Sequence, residues 1–188
     1  MARRVIWGGE LTRPHFKDQT LDRLTAACSS GARVMSMTYT TAEGRQQILD
    51  ALATAADEIA VSLALLSEAY EHLDERSAER LEEDLFQPIQ AAYGRAKRVH
   101  AGFAQRHELL DHTFQTPSPV APSSGTKDLI DAAVDAAGRA DGMLGELQDS
   151  MLPVEVGDVE LRAGLSDVRE LVGGVRARAR ELVRILGR

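Results

Sequence analysis

Residues 100–112, HAGFAQRHELLDH, gather three histidines and two carboxylates into thirteen positions. These residue types bind metals and move protons. On a helix, His100 and His107 share a face but stand ~10.5 Å apart along the axis, too far to hold one ion. His107 with Asp111, and Glu108 with His112, are i,i+4 pairs, the spacing by which one helix offers two ligands. A metal would need more ligands, and Asp128, Asp131 and Asp135 lie just beyond a proline-rich linker. The Glu-x-x-His pairs that build di-iron bundles are absent. His107 falls on the apolar stripe of its helix, which suits a boundary histidine hydrogen-bonded at the end of a bundle. No metal or cofactor is therefore expected, and a metal- or small-ligand-binding bundle using the His107/Asp111 end is the rival.

A second chemical feature is RELVGGVRARARELVRILGR, residues 169–188, with six arginines against Glu170 and Glu181. Arg176, Arg180 and Arg184 form an i,i+4 stripe and are the candidate partner-binding residues, suited to an acidic protein or a phosphate backbone. Structural roles compete with this. Cations near a helix C-terminus complement its dipole, and Arg162, Arg169 and Arg176 recur at sevens, where interhelical ion pairs flank a seam. Gly173-Gly174 costs the same helix roughly 2 kcal/mol, which implies a kink or the close approach of another backbone. Gly138, Gly142 and Gly145 offer a similar small-residue surface on the preceding helix. The acidic tip DERSAERLEED, residues 74–84, suits a turn and helix N-terminus, and could meet the arginine-rich end of another copy.

Other chemistry finds no pointer. No glycine run has phosphate-loop spacing, and there is no G-x-S-x-G elbow. The net charge of −7 argues against nucleic acid as a partner, leaving a nucleic-acid accessory role through the C-terminal arginines as the weakest option. The lone Cys28 cannot close an intrachain disulfide, so a cytoplasmic compartment is expected. The apolar run Val5-Ile6-Trp7 is too short for a signal peptide, and no stretch approaches the ~18 apolar residues of a membrane span.

The elements that must carry these residues are helical. Of the 188 residues, 44% are apolar but only 4% aromatic, a composition of helix seams rather than aromatic-lined pockets. Leu49, Leu52, Ala56, Ile59, Leu63, Leu66, Tyr70 and Leu73 recur in steps of three and four, behind a capping box at Thr40 and Glu43. Leu81, Leu85, Ile89, Ala92, Ala96, Val99, Phe103, His107, Leu110 and Phe114 form a second stripe, with a kink expected at Pro88. Ile130 to Met151 and Leu161 to Leu186 give two more. Helices are thus predicted at about 42–73, 77–114, 126–150 and 158–187, with a linker at 115–125.

Each helix has one narrow apolar seam, so none is stable alone. The predicted fold is mainly all-α, an antiparallel four-helix bundle of long helices over 41–188 with a short N-terminal strand/helix arm over 1–40. In that arm a short helix is expected at about 14–29, between short strands at 4–7 and 33–40. The function expected is that of a non-enzymatic interaction or assembly protein. Its partners would be a second copy of itself and an unidentified protein, with no membrane.

Overall fold

The computed structural model describes residues 21–115, 117 and 125–186, with side chains from 41 to 185. Its helices are α1 (Leu21–Glu71), α2 (Glu75–Leu81), α3 (Gln87–Arg106), α4 (Thr126–Asp149), α5 (Leu152–Val156), α6 (Val159–Gly173) and α7 (Val175–Leu186). A π-helical turn at Glu82–Phe86 joins α2 to α3. Among the described residues there is no strand, and the helices pack as an all-α bundle. The chain divides into two compact units, Met1–Thr40 and Thr41–Arg188, and the packing below belongs to the second.

The strand expected at 33–40 is helix instead, and Thr40 does not begin a helix, because the backbone is helical on both sides of it. A helix pairs its own N–H and C=O groups, whereas a short strand needs a neighbouring edge to do so. Residues 21–29 of the expected short helix are helical but belong to α1, which runs on to Glu71, so that helix does not end at 29. The rest of that helix and the strand at 4–7 lie outside the described residues.

The seams close on one another. Leu52, Ile59 and Leu66 of α1, Leu81 and Leu85 before α3, Ile89 and Phe103 on it, Ile130 and Leu144 of α4, and Leu161 and Leu165 of α6 are all essentially inaccessible and join one core. At roughly 1.5–3 kcal/mol for each large apolar side chain removed from water, this burial dominates the stability of the unit. On α1 the core is wider than the stripe in the sequence, since Ile48, Ala55, Ser62 and Ala69 are buried too, while Tyr70 faces out.

Polar contacts give the direction of each helix. Arg139 on α4 donates to Glu58 on α1 at 2.8 Å, and the buried Ser62 hydroxyl donates to the Ala133 carbonyl at 2.8 Å. Arg95 pairs with Asp167, and Arg106 with Asp158, between α3 and α6. Between α6 and α4, Arg169 donates to Asp141 at 2.9 Å, and Gln148 donates to Ser166 at 3.4 Å. In each series the residue number rises on one helix as it falls on the other, so every one of these pairs is antiparallel. The three-residue turn at 72–74 makes α1 and the α2–α3 rod antiparallel as well. It follows that α3 and α4 run in the same direction.

Local irregularities have local causes. Pro88, in the first turn of α3, lacks an N–H and crowds the preceding turn; the wider π turn just before it absorbs that crowding. Gly173-Gly174 ends α6, the chain restarts at Val175, and the Arg178 guanidinium donates to the Leu171 carbonyl at 3.4 Å beside the break. Gly145 lies under the Arg169 guanidinium, 3.4 Å from where a Cβ would sit, and Gly138 lies likewise under Arg176 at 3.1 Å. Two of the arginines recurring at sevens, Arg169 and Arg176, therefore rest on glycines seven apart. Gly164 has a different role. A Cβ there would fall 2.3 Å from a Val99 methyl, so its absence sets how closely α3 and α6 approach.

Candidate functional site

The histidine-rich stretch is split by the end of a helix. α3 stops at Arg106, and Glu108 takes a left-handed φ of 54°. The Leu109 N–H then reaches the Ala104 carbonyl at 2.9 Å, and the Glu108 N–H reaches Gln105 at 3.4 Å. These bonds make a Schellman ending, formed here without the glycine that signals it in sequence. The helix predicted to reach 114 thus ends two turns early, and the i,i+4 pairing of His107 with Asp111 does not exist.

The two residues go to different places. His107 turns to the N-terminus of α6, where its Nε2 lies 3.2 Å from Asp158 Oδ2. Asp158, nearly buried, also receives Nε and Nη2 of Arg106 at 2.9 and 3.1 Å and the Leu161 N–H at 2.8 Å. Burial alone would raise its pKa, but Arg106, the Leu161 N–H and His107 outweigh it, so the carboxyl lies below its ordinary value. This is an N-cap locked by a guanidinium fork. With its acceptor oxygens filled, Asp158 has the role of a clasp between α3 and α6.

Asp111 instead turns back onto α3. Residues 109–115 form a strap without regular secondary structure that contacts both α1 and α3, with Leu109 and Phe114 packed on the core. Beneath the strap His100 is fully buried. Its Nδ1 lies 3.2 Å from Asp111 Oδ1, within ion-pair distance but off the hydrogen-bond line, so neither ring nitrogen has an aligned partner. The Phe114 ring stands edge-on to the His100, His112 and Tyr93 rings, at 5.2, 4.9 and 6.4 Å between centroids. On the α1 side, His112 Nε2 lies 3.8 Å from Asp57. Burial, opposed by Asp111, lowers the His100 pKa and keeps its ring neutral at pH 7. Burial, helped by the charge of Asp57, raises that of Tyr93.

Among the described residues, no group of three or more His, Cys, Asp or Glu side chains is arranged to hold a metal ion. Asp128, Asp131 and Asp135 stand on α4, and the last two face α7. The arginine stripe is divided as well. Arg176 and Arg180 line a groove of about 470 Å³ between α4 and α7, opposite Asp131 and Asp135, with Arg176 3.8 Å from Asp135. Arg184 turns to Glu181 on its own helix at 2.5 Å. The acidic tip also lies beside this helix within one chain, since α2 touches α7.

His100 and Ser62, the only buried polar residues among those described, were both missed as core positions in the sequence. Their signal was positional. Ser62 lies three residues after Ile59 and four before Leu66, beside the stripe read through Leu63, and His100 lies next to Val99 one turn before Phe103.

No family model matches the chain, and neither the curated proteins nor the solved structures give a significant match.

Proposed function

We propose that this chain is a non-enzymatic helical-bundle protein that works through its surface, as an assembly or adaptor component that associates with itself. The observation that carries this reading is the placing of exposed apolar side chains in the connections around α5. Leu110 (91% exposed) follows α3, and Met151 (54%), Val154 (48%) and Val159 (66%) lie between α4 and the first turn of α6, whose start Arg106 joins to the end of α3. Tyr70 and Ile185 are the other exposed large apolar side chains among the described residues. Single exposed apolar residues are ordinary, but several in these connections suit a docking surface. The closed interior supports the same reading, because the seams are filled by aliphatic side chains and most of the charged groups with partners hold helices together.

A second copy is the expected partner, with an unidentified protein as a further one. No described helix is long and apolar enough to cross a membrane, and the single cysteine suits a reducing cytoplasm. Light scattering on the full chain across the micromolar range tests the reading. A dimer or larger species is expected, and Val159→Glu with Leu110→Glu should dissociate it, since both side chains already face solvent and their replacement leaves the core intact. A monomer at every concentration overturns the proposal.

A further inference from the structure

We propose that residues 109–115 form an acid-released strap: a neutral, buried His100 lets it close over α1 and α3, and protonation of that ring frees it. The geometry places an imidazole with no accessible surface and no aligned hydrogen bond under a segment without regular secondary structure. Beyond the Leu109 N–H bond to the Ala104 carbonyl, side chains hold the strap. Leu109 and Phe114 pack on the core, Phe114 against the His100 and Tyr93 rings, His112 reaches Asp57 at 3.8 Å, and Asp111 reaches the His100 ring.

Every charged group facing the ring bears on the outcome. From the strap come Asp111, whose side chain is 65% exposed, and His112, whose ring lies 6.0 Å away. From α1 come Asp50, whose charge favours the protonated ring, and Asp57 beyond His112. From α3 itself come Tyr93, below Phe114, and Lys97, whose ammonium lies over the Tyr93 ring at 4.5 Å. Burial is the largest influence and lowers the His100 pKa; the charge and poorly aligned hydrogen bond of Asp111 offset part of it, but that carboxylate is largely in water, so burial prevails. Protonated His112 would pull harder on Asp57, yet both partners are half-exposed and the gain is small. It would also add a like charge beside His100.

The direction follows from linkage. His100 binds its proton less readily with the strap closed than open, so the open form holds more protons. The closed form is fully favoured above the ordinary histidine range and loses ground as pH falls through it. The loss levels off below the closed-form pKa.

Hydrogen exchange of the full chain, corrected for the intrinsic effect of pH, is compared at about pH 7.5 and about pH 5.5. A rise of at least about threefold in residues 109–115, with the middle of α3 unchanged, is expected. NMR titration should place His100 below the ordinary histidine value. His100→Phe, which keeps a flat ring and removes the proton site, should abolish the rise. If that variant fails to fold, Asp111→Asn on the surface still decides the matter: removing the countercharge should enlarge the rise. Unchanged strap exchange in the native chain, a His100 titration at or above the ordinary histidine value, or no effect of Asp111→Asn overturns the proposal.

Discussion

Replacing Gly164 by alanine separates helix propensity from packing, because the two act in opposite directions. In an exposed helix the change should stabilise by about 1 kcal/mol. At Gly164 the new Cβ would stand 2.3 Å from Val99 Cγ2, 3.0 Å from Cγ1 and 3.3 Å from Cβ. Rotating Val99 only exchanges one methyl for the other, and a β-branched side chain on a helix has one strongly preferred rotamer. Either α3 and α6 move apart or the valine is strained, a cost of about 1–3 kcal/mol. The Val99 Cβ itself is crowded, so the upper part of that range applies. A net loss of about 2 kcal/mol remains, or about 4–8 °C in melting temperature for a chain of this size.

Urea and thermal unfolding followed by circular dichroism would measure it. Gly142→Ala is the matched control, because nothing lies within 4 Å of its Cβ position and the residue is exposed in the middle of α4. That variant should gain about 0.5–1 kcal/mol. In a double-mutant cycle, Val99→Ala should make room for the methyl that Gly164→Ala introduces, with a favourable coupling of at least about 1 kcal/mol. If Gly164→Ala stabilises as much as Gly142→Ala, the close α3–α6 approach is wrong.

Asp158→Ala removes both the α6 N-cap and the acceptor for Arg106, and should cost about 2 kcal/mol in urea unfolding. Since the Asp158 pKa is lowered, its contribution is fully present above the ordinary aspartate value and is lost as pH falls through the folded value. Asp158→Asn should accordingly show a shallower acid decline in stability than the native chain, and an unchanged slope would reject this. Ser62→Ala deletes a buried bond to the Ala133 carbonyl and should cost about 1 kcal/mol, read from the urea midpoint. Arg176→Glu sets like charges beside Asp135 in an exposed pair, and should lower stability by less than about 1 kcal/mol. A larger loss would mean that the pair matters more than its exposure implies.

The second unit was largely legible in the sequence because its helices repeat their apolar residues with little interruption. Leu81 through Phe103, and Leu161 through Leu182, were read as seams and are buried position by position. The glycine pair ends a helix, and the kink expected at Pro88 corresponds to the π turn just before it. The end of α3 was not legible. A helix there continues in pattern through Leu110 and Phe114, and the Schellman ending forms on Glu108 without a glycine to announce it. That one ending moves Asp111 from His107 to His100 and turns a supposed ligand pair into two separate contacts.

What the sequence determined by itself is the helical character of the second unit and the apolar face of each rod, since these depend on residues within a few turns of one another. Only the tertiary structure decided which rods run in the same direction, and that the chain after α3 returns over α1 and α3 as a strap. It also decided that an imidazole lies beneath the strap. Those outcomes depend on contacts between residues far apart in the chain, such as Ser62 with Ala133 and Val99 with Gly164. An apolar stripe records that a helix must be covered, but not by which neighbour, because leaving water is favourable against any well-fitting apolar face.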